Sequence, residues 1–574
     1  MTTATGALVA ALVSSFLAAS IMNALQLPGA MLPAVLALVG AGAWWALQGL
    51  AQGTVRGTLP GTFPGTIPGG RQPPVERHEK ALLAFVVLVG LLRLVPYAYQ
   101  YAAGVLVAPV TWDDNWHFQE VASLVNAERY PPRLNFVPDA YFHFYYVPWM
   151  PAAAISSLLL SVTGAPMVKL GLALGGLALL VGIAWGLIVI VRHLCPPQAR
   201  IWAMAALVLA GATIDGLFAL RHWLVSGQPV HAEWWQLGFL VTNSFSALSS
   251  SLIWVPHHMI AGVAMLLAVV VATEPVTLTP REGRGPYIVA GLLIGTAAFS
   301  SIFAFAGGLI ALSPLIWELL RSGDRRRLAW LVAACAIPSL PLAYIYLGAE
   351  ARGGLVIGQA FVEWSRQTGN PSMGIVGIVI ALVLMVLEVG WLYVLGRRLD
   401  AGAPDAARLR MIAAAGAVML ASTAVIGFTG SNNWALRATI VPVVLLAAYA
   451  GRGVATALHF GAGQAGAGGA WLLPSTVMRA GAAALCLACL AHINETALLV
   501  RSALAAPTYE ARLAACGREI RALNADRSGP PPVFDGETCH QTAAYHIERR
   551  FIKATLGEPD RELMGRGYGF LQAR

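Results

Sequence analysis

Charge is what this chain has least of. Only 11% of its 574 residues are Asp, Glu, Lys or Arg, while 57% are hydrophobic and the mean hydropathy is +0.67. Soluble domains are roughly a quarter charged. A soluble fold of this size is therefore excluded, and a polytopic membrane protein is expected. A Lys/Arg-rich run is also missing, which argues against a nucleic-acid partner despite the formal net charge of +9. That excess reads instead as cytoplasmic loops facing anionic membrane lipid.

Cysteine is scarce, at six residues. Cys195, Cys335, Cys486 and Cys489 sit in or beside apolar segments, where a thiol acts as a small hydrophobe. Cys486 and Cys489 form a C-x-x-C with no second pair, which disfavours zinc. Cys516 and Cys539 can form a disulfide if their segment is extracytoplasmic. The N-terminus lacks a basic region, so uncharged Gly6 to Leu25 reads as a retained span, not a cleaved signal peptide.

Long apolar runs fill the rest. They lie near 6–25, 30–50, 81–106, 147–163, 166–191, 201–220, 253–273, 287–317, 328–348, 373–396, 411–429, 436–451 and 480–500, which predicts an all-α transmembrane helix bundle of about 13 spans. The run 287–317 is too long for one simple span. It is either one tilted helix or two short ones broken near Ser300-Ser301 or Gly307-Gly308.

Arg and Lys place 51–80 and the segments before 287, 328 and 411 in the cytoplasm. The loop 107–147 then lies outside, with 221–252, 349–372, Gly430–Ala435 and the C-terminal segment. One conflict arises. If 147–163 and 166–191 both cross, Arg192 and Arg200 land outside; one of the two is re-entrant or its boundaries differ.

The domain division is 1–500 for the bundle and 501–574 for a small extracytoplasmic segment. In the latter, Tyr509, Leu513, Cys516, Ile520 and Leu523 recur at helical spacing. Thr58 to Gly70 and the glycine-rich 461–469 have compositions that cannot pack a core.

The loop Trp112–Met150 breaks the apolar pattern most sharply. It carries Asp113, Asp114, His117, Glu120, Asp139 and His143, and ionisable groups crowded beside spans are usually functional. In a helix from Asp113, residues 113, 117 and 120 share one face. Phe118, Val121, Ala122 and Val125 share another, which suits a helix lying flat on the membrane surface with its polar face toward an outer cavity. A plainer reading makes Thr111 and Asp114 a capping box, with Asp113 a helix-start charge. Tyr130-Pro131-Pro132 ends the helix. The aromatic run Tyr141–Tyr146 is an interfacial belt or a platform for a sugar or prenyl chain.

The stretch D-D-N-W-H, a short helix, Y-P-P and an aromatic entry into the next span resemble the first external loop of the GT-C superfamily of integral-membrane glycosyltransferases, in its poorly characterised bacterial branches. The match spans about 110–165. Two spans precede the loop here, where the common pattern has one. The resemblance implies an acidic residue that serves as catalytic base or as metal ligand at Asp113 or Asp114, with Asp113 at the pattern's spacing from His117. It also implies a polyprenyl-phosphate-linked sugar donor, a lipid, glycan or protein acceptor, and an active site on the outer face of a bacterial inner membrane.

His117, Glu120, His143, Tyr146, Arg352, Asn433 and Arg437 are the expected substrate-binding residues, Arg437 as a partner for the donor phosphate. As plain alternatives, Arg437 is a snorkelling interfacial arginine, and His257 and His258 are core or interfacial histidines. Neighbouring helical residues point about 100° apart. A divalent metal would therefore need one of those two histidines plus a carboxylate such as Asp113 or Asp114. No cofactor is fixed by the pattern; a divalent metal ion is the one candidate. Arg93, Lys169 and Glu388 fall within spans and suit internal pairing. The rival readings are a transporter or flippase for a lipid-linked or amphipathic solute, and a noncatalytic assembly factor.

Overall fold

The computed structural model describes residues 3–53, 74–103, 107, 110–111, 113–134, 137–141, 146–164, 167–231, 247–273, 284–347, 355–397, 406–428, 433–464 and 475–505. His143, Arg352, the residues of 501–574 beyond 505, and with them Cys516 and Cys539, lie outside this set, as does the side chain of Asn433.

Helices dominate. In chain order they are α1 (Thr3–Ala24), α2 (Leu32–Gly53), α3 (Arg77–Ala103), α4 (Asp114–Val125), α5 (Met150–Thr163) and α6 (Val168–Leu194). Next come α7 (Pro197–Leu209), α8 (Thr213–Ser226), α9 (Leu248–Trp254), α10 (Pro256–Thr273), α11 (Gly285–Ser300) and α12 (Ile302–Ala311). Then follow α13 (Ser313–Arg321), α14 (Arg325–Ser339), α15 (Tyr344–Leu347), α16 (Gln359–Thr368) and α17 (Met373–Met385). A π-turn at Val386–Gly390 joins α17 to α18 (Trp391–Gly396). The last are α19 (Ala406–Ser422), α20 (Asn433–Arg437), α21 (Ile440–Gln464) and α22 (Ser475–Ala505).

Two short antiparallel pairs accompany them: β1 (Arg133–Leu134) with β2 (Val137–Tyr141), and β3 (Leu355–Ile357) with β4 (Ile426–Phe428). Neither alters the all-α class.

Among the described residues, seven helices are long and apolar enough to cross a membrane, or up to ten if each bent pair counts once. The pairs α7–α8, α9–α10 and α12–α13 bend by 50°, 113° and 60°. The long run 287–317 breaks at Ser301, whose extended backbone (φ −167°, ψ 110°) ends α11 and whose hydroxyl accepts from Ala304 N to start α12. Gly307-Gly308 is no break. A Cβ at Gly307 would sit against the Ala438 carbonyl, so the bare glycine lets α12 close on the link between α20 and α21.

Helix α5 is short: its 14 residues rise only ~21 Å, less than a ~30 Å hydrocarbon core. It runs antiparallel to α6, with Ser156 beside Gly171 and Ala152 beside Gly175; a Cβ at either glycine would collide. Arg192, near the end of α6, and Arg200, in the first turn of α7, meet the start of α3. Arg192 Nε donates to Glu79 Oε1 at 2.6 Å and Arg200 Nη1 to Glu76 Oε1 at 3.3 Å. At the opposite end Lys169 Nζ donates to Gln100 Oε1 (3.0 Å) and the Val107 carbonyl (2.9 Å).

Candidate active site

Helix α4 stands where the loop pattern put it, but not on the bilayer surface. Every one of its described side chains is buried, including those on the polar face: Asp114, His117 and Glu120 are each 2–3% exposed. The helix packs on α5, α6 and the turn before α2, where Gly29 lies so close to the Leu124 and Val125 carbonyls that no side chain would fit. The expected flat surface helix is therefore corrected to a helix inserted in protein. Its apolar residues (Phe118, Val121, Ala122, Val125) are covered by neighbouring helices, not by lipid.

The two adjacent aspartates have different surroundings. Asp114 is latched. Arg93 Nη2 donates to its Oδ1 at 3.0 Å, the Tyr97 hydroxyl to its Oδ2 at 2.9 Å, and Thr111 N to Oδ2 at 3.2 Å. Arg93 also reaches Thr111 Oγ1 at 2.9 Å, and Tyr97 accepts from Val110 N at 2.8 Å. Half of the capping-box reading of Asp114 is thus realised: its carboxylate closes back on the Thr111 amide.

Asp113, one residue earlier, is half-buried at the N-cap, and its side chain caps nothing. Among the described residues no hydrogen bond fixes its carboxylate. Loss of water pushes its carboxyl up to about 6; the charges of Arg437 and His231 oppose that rise, and Asp114 adds to it.

Behind Asp113 sits a ring of imidazoles. His117 Nδ1 lies 2.9 Å from Glu120 Oε2. Burial drives His117 down, helped by His257 and Arg93, and drives Glu120 up, helped by Asp113. Both shifts disfavour the charged forms of this buried pair. The His117 ring lies 4.3 Å from Trp149 and 5.0 Å from His257, centroid to centroid. Arg93 Nε, His117 Nε2 and Trp149 Nε1 are buried and lack a hydrogen-bond partner among the described residues. A bound polar molecule would satisfy such atoms.

His257 and His258 open α10 just after the sharp bend at Val255, with Pro256 as first helical residue. Their rings are 4.0 Å apart but look to different elements. His258 Nδ1 meets Ser301 Oγ at 2.7 Å, while His257 faces His117 and Trp149. Among the described residues no three His, Cys, Asp or Glu side chains converge as a metal's ligands.

Tyr146, expected at a substrate platform, is fully buried, its hydroxyl bonded to Asn23 Nδ2 (2.7 Å) and the Tyr344 hydroxyl (2.9 Å). It ties α1, the entry to α5 and α15 together. Arg437, at the end of α20, is half-buried and close enough to act on both Asp113 and His257.

Two residues escaped the sequence reading. His231 was read only as part of an outer loop, and Glu495 as part of an apolar span. Glu495 is fully buried; its oxygens meet His231 Nδ1 at 3.2 and 3.3 Å and accept from Trp254 Nε1 at 2.7 Å. A carboxylate inside an apolar helix was the signal available.

No family model and no curated protein matches this chain. Among solved structures, the apo crystal structure of the Archaeoglobus fulgidus oligosaccharyltransferase aligns at 15% identity and a TM-score of 0.38. The same enzyme, tethered by a disulfide to an acceptor peptide containing the NVT sequon, aligns at 14% and 0.34. Both alignments cover 81% of this chain and 59% of that one, so this chain spans less than two thirds of its length.

Proposed function

We propose that this chain is an integral-membrane glycosyltransferase that moves a sugar from a polyprenyl-phosphate-linked donor to a lipid, glycan or protein acceptor, with Asp113 as the general base. One observation carries the reading: of two neighbouring aspartates, one is immobilised by Arg93, Tyr97 and Thr111, and the other is half-buried, unlatched and flanked by cationic groups. A carboxylate with a pKa near 6 is ionised at neutral pH and still basic enough to take a proton from a hydroxyl. Arg437 is placed to meet a donor phosphate. His117 Nε2 and Trp149 Nε1 supply hydrogen-bonding atoms at the floor. The site opens to the non-cytoplasmic side of a bacterial inner membrane, as the distribution of Arg and Lys in the loops implies. In this reading His143, Arg352 and Asn433 serve the substrate.

Three bent helix pairs favour a second reading, a transporter of a lipid-linked or amphipathic solute, since broken helices mark many transport sites. Purified protein in detergent separates the two. Asp113→Asn should abolish sugar transfer from a lipid-phosphate donor while the fold is retained. Unchanged transfer in that variant removes the catalytic role. Solute movement in vesicles without any transfer establishes the transporter.

A further inference from the structure

Helix α13 leaves α12 at 60° and, at nine residues, rises only ~14 Å, too little to cross a bilayer. Ile316, Trp317 and Leu320 share one of its faces and are exposed. The turn 322–324 leads into α14, which opens with Arg325, Arg326 and Arg327. Two more helix starts meet this corner. Helix α11 begins beside α14, with Arg284 5.8 Å from the centre of the Trp330 ring and Arg327 5.3 Å from that of Tyr287. Helix α19 begins beside α13, with Arg408 Nη2 2.9 Å from Glu318 Oε2.

Charge at this corner is one-sided. Its carboxylates among the described residues are Glu318 and Asp324, and each already has an arginine: Arg408 for the first and Arg327, at 2.7 Å, for the second. Arg284, Arg321, Arg325 and Arg326 are exposed and meet no carboxylate among the described residues. Arg325 and Arg326 stand at the start of α14, where the helix dipole disfavours a cation. The loop charges assign the corner where α3 begins to the same side, yet there Glu79 and Glu76 answer Arg192 and Arg200. A general excess of arginine in one set of loops does not explain four unopposed guanidiniums gathered from three helices.

We propose that this corner, formed by the turn between α13 and α14 and the start of α11, is a docking surface for anionic phospholipid headgroups. Arg321 lies over the Trp317 ring at 4.9 Å, as Arg284 lies over Trp330, so an indole holds each guanidinium in place. Neither guanidinium has a hydrogen-bond partner among the described residues, and both keep their N–H groups for a phosphate oxygen. Tryptophan beside arginine suits the headgroup level, where the indole sits at the boundary and the cation reaches the phosphate. Ile316 and Leu320, on the Trp317 face of α13, offer the acyl chains an apolar surface. That mixture on a short bent helix favours a lipid over an acidic protein. The surface shares no residue with the Asp113 site and stands whether or not this chain transfers sugar.

The test titrates the full chain in detergent with dioleoyl phosphatidylglycerol and reads bound lipid by native mass spectrometry. Dioleoyl phosphatidylcholine is the zwitterionic control and inorganic phosphate the free-anion control. The wild-type chain should bind phosphatidylglycerol about tenfold tighter than phosphatidylcholine at low salt, and the preference should shrink as salt rises. Arg284→Gln, Arg321→Gln, Arg325→Gln and Arg326→Gln together should remove the preference and leave phosphatidylcholine binding as it was. Trp317→Leu with Trp330→Leu should weaken phosphatidylglycerol binding a few-fold, since the guanidiniums lose their supports. If the fourfold variant does not stay monodisperse, Arg325→Gln with Arg326→Gln, which touches neither indole pair, carries the test with a smaller loss.

Equal affinity of the wild-type chain for the two lipids overturns the surface, and so does an unchanged preference in the arginine variants. Inorganic phosphate that competes as well as phosphatidylglycerol, mole for mole, makes this a free-anion site and overturns the lipid. A poly-glutamate peptide that outcompetes phosphatidylglycerol gives the corner to an acidic protein and overturns it too.

Discussion

The two ends of the bundle use charge in opposite ways. Where α3 begins and α6 ends, each carboxylate has an arginine: Glu79 has Arg192 and Glu76 has Arg200. Glu79 is 2% exposed, and Arg192 and the Glu76 amide both donate to its carboxylate. At the other end, charge and hydrogen bonding do not come out even. Asp114 collects three donors while its neighbour Asp113 collects none, and Arg437 and His231 stand near the second. Matched pairs fix geometry. An unlatched carboxylate kept at the edge of burial beside cations is less stable as structure and more useful as chemistry.

That contrast can be broken most directly at Asp113. Asp113→Asn should lower the transfer rate by about 10²–10⁴-fold, the usual contribution of a general base, with an unchanged melting temperature in detergent. Asp114→Asn should do the reverse in kind. It leaves Arg93 buried without its counter-charge, a loss of roughly 3–5 kcal/mol, read as a large fall in melting temperature, with activity lost only through unfolding. If the two variants behave alike, the distinction between latch and base is wrong.

The pH profile sharpens the comparison further. With Asp113 titrating at about 6, the base is ionised above that pH. Transfer should therefore fall as pH drops through 6. Arg437→Gln removes the largest opposing charge, so Asp113 should hold its proton to higher pH and the acid limb should move upward. An acid limb that stays put places Arg437 away from the carboxylate. The smallest effect belongs to Arg408→Gln. Its pair with Glu318 at 2.9 Å is half exposed (50% and 37%), so the melting temperature should move by no more than ~1 kcal/mol would cause.

The membrane-spanning character was legible because uncharged runs have few other physical uses. The break at Ser300-Ser301 was one of three readings the sequence left open for 287–317, and the extended backbone of Ser301 chose it. The short antiparallel α5 was not legible: residues 147–163 are as apolar as a crossing helix, and only the fit of Ala152 and Ser156 against Gly175 and Gly171 shows how they pack on α6. Three other runs came out short or bent. Runs near 328–348 and 411–429 yield helices of 15 and 17 residues at their cores, and the helix of 253–273 begins only after a sharp bend.

At the site, the density of Asp, His and Glu in 113–120 was visible by inspection. Which aspartate is latched was not, because the decision lies with Arg93 and Tyr97 on another helix. The sequence left the histidine pair open between one metal ligand and ordinary core residues; in space His258 meets Ser301, and the His257 ring faces His117 and Trp149.

By itself, then, the order of residues determined that this chain must live in lipid and that its ionisable groups would cluster between spans, because hydropathy and the cost of stranded charge act locally along the chain. Tertiary packing decided the rest. Burial from all sides turned a would-be surface helix into a core element. Contacts between residues up to 264 positions apart chose the partners of Asp114 and His231. Desolvation and the field of distant cations then set Asp113 apart from its neighbour, and both depend on what surrounds a group in three dimensions.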